Sequence, residues 1–450
     1  MVNPEYYFIS DLHIGGEGSL TTCDFEADLI SFLQLLEGKT NSAELIIVGD
    51  AFSFWEMTRA SPLEKLKIII DQHPRLFEQF KSTGEKIKIT LIPGNHDYEL
   101  ACYEDFKQTL EIYNITLEAK EVITRSIQGK TIWIEHGNQH DSFNRIDDFG
   151  NPYVTPIGYY IVSQIVDGLV EKSRLGKYRW LKDIESVYPN EAIPHWFFSN
   201  YFYKEMSLWL RWILLPFLLL LSVSFVILIS ALLERVGIVD NGFFSQPWLA
   251  FLHNFGFAGK ALDFTVNLVL FIDTLFLFGL ILVLVPLSFV FRDIQKTLKR
   301  YGFKGRKGLK AHKKSLYLQA AKKVFNEDAN VFAFVYGHTH KPSLTKIRDE
   351  GNQKLGDRYV INTGSWLKKL KRISSIFRFL PAVYYPSYQL NYFKICLDGD
   401  RLEILYECLP KQVESGLTPL EKLAILGRKK QKPILIPPRT ILKESKPNKM

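Results

Sequence analysis

Cysteine is scarce in this sequence and follows no metal-binding pattern. The 450 residues include four cysteines, and no two of them form a CxxC pair. They are Cys23, Cys102, Cys396 and Cys408. This spacing indicates neither a zinc knuckle nor a dense disulfide framework. We therefore expect reduced thiols in a cytosolic compartment.

Two further features are missing from the sequence. The N-terminal segment MVNPEYYFIS lacks a basic stretch followed by an apolar run, so we expect a first β-strand there rather than a secretory signal. No internal repeat is present. The length of 450 residues suits about two or three domains, and a hydrophobic content of 47% is ordinary for a folded protein. The net charge of +8 suggests a nucleic acid, an anionic lipid or a phosphorylated ligand.

Long apolar runs lie in the middle of the chain. Residues 212–233 carry no charge, and residues 264–291 carry one acid, Asp273. About 20 apolar residues cross the hydrocarbon core of a bilayer as a helix. A pair of buried core helices is the alternative, but neither run has the polar stripe that such helices normally show. The sequence therefore predicts a two-helix transmembrane hairpin in which Asp273 faces the partner helix.

Charge around these runs predicts their orientation. Residues 292–314 contain ten Lys or Arg and one acid, whereas residues 236–263 contain one lysine. Because short cytoplasmic loops are enriched in Lys and Arg, both flanks of the hairpin should be cytoplasmic. We expect a multi-pass protein of the cell (inner) membrane whose basic juxtamembrane segment contacts anionic headgroups.

The soluble parts of the chain alternate strand-like and helical patterns. Short β-branched or aromatic runs occupy residues 6–10, 45–48, 87–92, 131–134, 332–336 and 359–362. Helical patterns lie between several of them, which predicts an α/β fold with a sheet covered on both faces. We divide the chain into the first part of an α/β domain (1–200), an interfacial segment and hairpin (201–300), the second part of that domain (301–425) and a basic disordered tail (426–450).

Residues whose side chains can bind metal ions come directly after these predicted strands. Five clusters come directly after predicted strands: Asp11 and His13; Asp50; Asn95, His96 and Asp97; Glu135, His136, His140 and Asp141; and His338 and His340. In α/β domains, ligands collect at the carboxyl ends of the strands. Carboxylate, imidazole and amide ligands without cysteine suit Mn, Fe or Zn better than a thiolate-bound structural zinc.

The order of these clusters resembles that of the calcineurin-like metallophosphoesterases. That family has the blocks D-x-H, G-D, G-N-H-[DE], a glycine-flanked His and G-H-x-H, and this chain has all five in the same order. The resemblance implies a β-sandwich flanked by helices (αββα), here interrupted by the hairpin. One block departs from the pattern, because His136 precedes its glycine, which leaves Glu135 or His140 as alternative ligands.

The resemblance also implies a role for each block. Asp11, His13 and His340 would hold one divalent ion. Asn95, His136 and His338 would hold a second, with Asp50 bridging both. His96 would protonate the leaving oxygen or stabilise charge, and Asp97 would orient it. The ions would be Mn, with Fe or Zn as alternatives, and a metal-activated hydroxide would attack phosphorus without a covalent enzyme intermediate.

Other residues near these blocks carry open interpretations. His140, Asp141, Asn144 and Arg145 are candidates for substrate binding, with loop-structural or surface roles as the alternatives. Trp55 and Glu56 are interpreted as packing residues.

The segments GDAFSFWE and HGNQHD resemble the bacterial UDP-2,3-diacylglucosamine diphosphatases, although His96 stands where that branch has arginine. We expect a membrane-anchored phosphoesterase acting on a lipid-linked or nucleotide-lipid phosphate or diphosphate at the cytoplasmic face. The alternatives are a phosphoprotein or soluble nucleotide phosphatase and a non-catalytic membrane scaffold. No nucleic-acid partner is expected, because a bilayer anchor hinders access to duplex DNA.

Overall fold

The fold is described from a computed structural model of the chain. The described residues are 3–16, 23–39, 42–160, 162–163, 186–187, 192–211, 225–226, 228–230, 233, 236–238, 254–300, 306–347, 357–377, 380–411, 416–427 and 436–442.

The strands form two large sheets and one small one. In chain order they are β1 Glu5–Ile9, β2 Ala43–Val48, β3 Lys88–Ile92, β4 Ile115–Leu117, β5 Val122–Ile127, β6 Lys130–Glu135, β7 Val331–Tyr336, β8 Ser343–Ile347, β9 Arg358–Asn362, β10 Lys369–Ile373, β11 Val383–Ser387, β12 Leu390–Asp398, β13 Arg401–Leu409 and β14 Arg439–Ile441. The first sheet has the order β14-β13-β12-β1-β2-β3-β4, and the second has the order β5-β6-β7-β9-β8. Strands β10 and β11 pair separately.

Both large sheets mix parallel and antiparallel pairs. Strands β1 to β4 are mutually parallel, and β12 joins β1 antiparallel. In the second sheet β6, β7 and β9 are parallel, whereas the edge strands β5 and β8 are antiparallel to their neighbours. The predicted α/β class is therefore confirmed, with a mixed rather than a purely parallel sheet.

Alternating side chains of the first sheet build two cores. Phe8 and Ile46 pack in one cluster with Ile132 and Val335 of the second sheet. Their sequence neighbours, such as Ile47, pack in another cluster with the helices between β1 and β4. Because successive strand residues point to opposite faces, this alternation buries the sheet on both sides.

The helices are α1 Glu26–Glu37, α2 Pro62–Gln72, α3 Pro74–Gly84, α4 Asp105–Glu111, α5 Ile193–Asn200, α6 Gly256–Arg300, α7 Arg306–Glu327 and α8 Pro419–Ile425. Helices α1 to α4 cover the outer face of the first sheet, and α7 packs on the second. Helices α5 and α8 pack against β11 of the small sheet. Helix α1 buries Leu29, Phe32, Leu33 and Leu36, the three- and four-residue spacing of an amphipathic helix. Tyr317 of α7 is buried in a cluster with residues of β7. The layers are thus helix, sheet, sheet and helix.

The predicted membrane hairpin is described only in part. Helix α6 contains one stretch, Gly256–Val290, that is long and apolar enough to cross a bilayer, with a mean hydropathy of 2.9 over an 18-residue window. Its apolar side chains are exposed along the described part, for example Leu282 and Phe289. The other predicted span, 212–233, lies mostly outside the described residues, so the hairpin itself stays a prediction.

Part of the tail differs from the predicted disorder. Strand β14 pairs antiparallel with β13, and its flanks continue the pairing, because Leu442 N donates to Leu402 O at 2.9 Å. The Arg439 guanidinium also contacts the buried carboxylate of Glu403, with Nε 2.8 Å from Oε2. Residues 436–442 therefore close one edge of the first sheet, which corrects the prediction for that segment.

Candidate metal centre

Five strands deliver the predicted ligands to one place, with Asn95 following β3. Residues 11 and 13 follow β1, residue 50 follows β2, residue 136 follows β6, and residues 338 and 340 follow β7. Carboxyl ends of parallel strands meet at one edge of a sheet, and the two sheets are stacked with these edges together. The two histidines of the last block come from the second half of the chain, beyond α7.

The first group of ligand atoms surrounds a point between β1 and β7. One ligand atom from each of Asp11, His13, Asp50 and His340 lies within 4.8 Å of the others. His13 Nε2 is 3.3 Å from His340 Nε2, and His340 Nε2 is 3.2 Å from Asp11 Oδ1. Asp50 Oδ2 lies 3.6 Å from His13 Nε2.

The second group shares one carboxylate with the first. Ligand atoms of Asp50, His136 and His338 also lie within 4.8 Å of one another. His136 Nε2 is 3.2 Å from Asp50 Oδ2 and 3.2 Å from the amide oxygen of Asn95. The same oxygen, Asp50 Oδ2, therefore faces an imidazole of each group.

The backbone at these ligands is unusual. Asp11, His13, Asp50, His338 and His340 all have positive φ, between 48° and 63°. This region is uncommon for residues other than glycine, although Asp and His enter it more readily than most. Such conformations cost about 1–3 kcal/mol each and persist where the surrounding structure enforces them. Five at one centre identify it as a functional site rather than an ordinary loop cluster.

Glycines leave room for the ligands. A Cβ on Gly94 would collide with the carboxylate of Asp50, and a Cβ on Gly337 would collide with Oδ2 of Asp11. Gly49, with φ of 80°, would place a Cβ against the ring of His136. The glycine in each of these blocks is thus required by close approach.

Backbone groups set the orientation of the ligands. His136 Nδ1 lies 2.9 Å from the carbonyl oxygen of Val48, so it donates there and leaves Nε2 for the centre. Asp50 Oδ1 accepts from His96 N at 2.8 Å, which leaves Oδ2 as the shared oxygen. Asp11 accepts from His338 N at 3.1 Å.

Comparison with known proteins agrees with this geometry. Residues 5–206 match the model of the calcineurin-like phosphoesterase family. The chain carries a calcineurin-like phosphoesterase domain. It is a metal-dependent phosphoester hydrolase. The matched range ends before His338 and His340, which the fold brings to the same centre from outside it.

Similarity to solved structures and to curated proteins is low. A crystal structure of a conserved uncharacterized protein, a predicted phosphoesterase from Streptococcus pneumoniae TIGR4, aligns over 93% of this chain and 96% of its own at 10% identity. Its TM-score of 0.26 is too low to support a structural conclusion. No curated protein matches the sequence.

The electrostatics of the phosphoesterase centre suit cations. Burial opposes ionisation of Asp50, but the charges of His136 and His96 outweigh it and hold the pKa of that carboxyl well below its usual range. Burial also disfavours a charged His136, yet Asp50 outweighs it and raises the pKa of His136 to about 10. Burial lowers the pKa of His13 to about 3, so this imidazole is neutral. A cation would take the place of the His136 proton.

The donor set therefore fits two divalent ions. Two imidazole nitrogens 3.3 Å apart, each beside a carboxylate oxygen, are a stable arrangement when a cation lies between them. Asn95, His136 and the shared Asp50 oxygen offer a second position. Glu135 and His140, the alternative ligands of the fourth block, instead pair with each other at 2.6 Å. The geometry favours His136 over both.

The two predicted catalytic residues have different surroundings. His96 lies beside the first group, with its ring centroid 4.5 Å from that of His13. Asp97 does not orient it: Asp97 Oδ2 accepts from Ala51 N at 2.7 Å, and Oδ1 accepts from Gly94 N at 2.6 Å. The prediction for Asp97 is corrected, because its carboxylate ties together the loops after β2 and β3.

The predicted substrate-binding residues also divide into two sets. Asp141 is buried, and its Oδ2 lies 3.3 Å from His338 Nε2 and accepts from Asn144 Nδ2 at 3.3 Å. His140 is held by Glu135, as described above. Arg145 is exposed and pairs with Asp147, Nε to Oδ1, at 2.7 Å. Asp141 and Asn144 thus adjoin the centre, whereas Arg145 is engaged at the surface.

Sequence reasoning assigned Trp55 and Glu56 to packing. Both side chains instead contact His96: the Trp55 ring stacks on it with centroids 4.1 Å apart, and Glu56 Oε1 lies 3.1 Å from its Nδ1. The only sequence signal was a carboxylate in an otherwise apolar segment after Asp50.

Proposed function

We propose that this chain is a membrane-anchored phosphoesterase that hydrolyses a lipid-linked or nucleotide-lipid phosphate or diphosphate ester. The observation that carries the proposal is the shared oxygen, Asp50 Oδ2, which faces His13 at 3.6 Å and His136 at 3.2 Å. A carboxylate has an acceptor geometry that can serve two ions, whereas a neutral imidazole nitrogen serves one.

The residues of the centre divide into two sets of ligands. Asp11, His13 and His340 would hold one ion, and Asn95, His136 and His338 would hold the other, with Asp50 available to both. When bound, two divalent ions supply the positive charge that polarises phosphoryl oxygens and lowers the pKa of a water molecule. Mn is the first choice, with Fe or Zn compatible with the same ligands.

His96 has the chemistry for the leaving group. Its ring contacts the ring of His13 and stacks on that of Trp55. Because the His96 side chain is 18% exposed, a substrate can reach it. A protonated imidazole there stabilises charge on the phosphoryl group and gives its proton to the departing oxygen. Asp141 and Asn144 border the second set of ligands and are proposed substrate contacts.

The membrane part of the proposal is supported by α6. The Gly256–Val290 stretch is long and apolar enough to span, and its side chains are exposed rather than packed in a soluble core. With the basic segment 292–314 directly after it, this arrangement supports a cytoplasmic catalytic domain in the cell (inner) membrane. A reporter fused after Met450 is expected to read as cytoplasmic, and an extracytoplasmic signal would reverse the topology.

A substrate panel tests the function. The purified full chain is supplied with Mn²⁺ and assayed in liposomes against a nucleotide-lipid diphosphate, a phosphatidyl phosphate, a phosphopeptide and a cyclic nucleotide. The proposal predicts the highest kcat/KM for a lipid-linked ester, because anchoring raises the effective concentration of the enzyme toward membrane substrates. Preference for the phosphopeptide or the cyclic nucleotide would favour a phosphatase for which the helices are only an anchor. Full activity after exhaustive chelation would contradict the metal mechanism.

A further inference from the structure

Glu56 is a buried acid outside both sets of metal ligands. It lies in the short 3-10 helix Phe54–Glu56 that follows Asp50, and it is 5% exposed. Burying a carboxylate is costly unless a partner compensates its charge. A packing role alone leaves that cost unexplained, since an apolar side chain would pack at the same position without it.

The compensating partner is His96. Glu56 Oε1 lies 3.1 Å from His96 Nδ1, and the indole of Trp55 stacks on the imidazole with an angle of 28° between the rings. The ring also makes a T-shaped contact with the ring of His13, with an angle of 78° between them. The imidazole thus lies between a stacked indole and a ring edge, with the Glu56 carboxylate beside its Nδ1.

Asp97, the acid that follows His96 in the sequence, is already engaged. Asp97 accepts from the backbone of Ala51, Phe52 and Gly94. It is adjacent in sequence to His96 but faces the loops. The carboxylate that is in contact with the imidazole therefore comes from 40 residues earlier in the chain.

We propose that Glu56 is the positioning residue of His96, holding Nδ1–H so that proton transfer to the leaving group occurs from Nε2. The inference rests on the proposed function, because it requires phosphoester hydrolysis at this centre. In the reaction a water-derived oxygen bonds to phosphorus and the bond from phosphorus to the leaving oxygen breaks. The leaving oxygen keeps that electron pair and takes the Nε2 proton, and the imidazole remains neutral with its Nδ1–H on Glu56.

Leaving-group chemistry separates this role from a structural one. With Mn²⁺ and the full chain, phosphate release is measured from 4-nitrophenyl phosphate, whose leaving group departs readily, and from phenyl phosphate, whose leaving group needs a proton. Glu56→Gln is expected to lower kcat on phenyl phosphate by about 100-fold, the low end of a general-acid contribution. The loss on 4-nitrophenyl phosphate should be much smaller.

Companion variants complete the experiment. Glu56→Asp, which keeps the charge on a shorter side chain, is expected to be intermediate. The double variant Glu56→Gln/His96→Ala should be no worse than His96→Ala alone, because the two residues act as one unit. Glu118→Gln is the matched control, since it removes a carboxylate paired with Arg125 outside the centre. Mn²⁺ content, measured by equilibrium dialysis, should be unchanged in all of them.

The negative results distinguish an error in the positioning role of Glu56 from an error in the proposed function. An active wild type combined with equal losses on both esters, additive losses in the double variant, or lost Mn²⁺ in Glu56→Gln would overturn the positioning role and leave the proposed function standing. A wild type without Mn²⁺-dependent hydrolysis of either ester would overturn the proposed function, and the inference with it.

Discussion

At the scale of single residues, the centre combines strained ligands with neighbours that enforce the strain. The five ligand residues with positive φ are held by hydrogen bonds such as that from His338 N to Asp11. That these residues meet at one centre could be predicted from the sequence, because each follows its strand within a few positions, whereas their metal binding stays a prediction. Glu56 could not be predicted, since its partner is distant in the chain and no local pattern links the two.

For Asp97, in contrast, the sequence suggested a role that the structure does not show. Its position next to His96 suggested an orienting role, but sequence adjacency does not fix the direction of a side chain. The Asp97 carboxylate accepts three backbone N–H groups. A buried acceptor with three donors is a structural tie between two loops.

A stability measurement tests that assignment. Asp97→Ala leaves the buried N–H groups of Ala51 and Gly94 without their acceptor, so we expect a loss of about 1–3 kcal/mol in the free energy of unfolding. Urea denaturation of the metal-free protein, followed by tryptophan fluorescence, measures it. Asp147→Ala, which removes an exposed carboxylate, serves as the control. An unchanged midpoint for Asp97→Ala would contradict the structural role.

At the scale of elements, apolar runs predicted the central strands β1, β2, β3, β6, β7 and β9, but not the strands β4, β5, β8, β10 and β11. Strand β2 is a run of six buried residues, and β7 is another, so their hydrophobicity is visible in the sequence. Strand β14 was missed because it is three residues long, has two polar residues and follows two prolines. Its stability depends on pairing with β13, which no local signal reports.

The testable prediction at this scale concerns the membrane insertion of helix α6. Phe278→Arg/Leu282→Arg introduces two charges on exposed apolar positions, so the soluble core should be unaffected while insertion is opposed by about 3 kcal/mol for each arginine at the helix centre. We expect the variant to be extracted from membranes by alkaline carbonate, whereas the wild type stays in the pellet. Phe257→Arg, at the exposed start of the helix, should behave as the wild type. Extraction of the wild type itself would contradict the anchor.

At the scale of the whole molecule, the phosphoesterase centre is assembled from two separated parts of the chain. Asp11, Asp50 and His136 precede α6, and His338 and His340 follow it. The family match covers only the first part, residues 5–206. The order of the motifs predicted this assembly, but the close contact of the two sheets that achieves it depends on packing between residues such as Phe8 and Val335.

The most direct test of the account is the number of metal ions bound per chain. Purified protein is dialysed to equilibrium against Mn²⁺, and bound metal is counted by mass spectrometry for the wild type and for Asp50→Asn. Asp71→Asn, on the exposed side of α2, is the control. A centre bridged by Asp50 predicts about two ions in the wild type and control and fewer than about one in Asp50→Asn. One ion in the wild type, or two retained in Asp50→Asn, would contradict it.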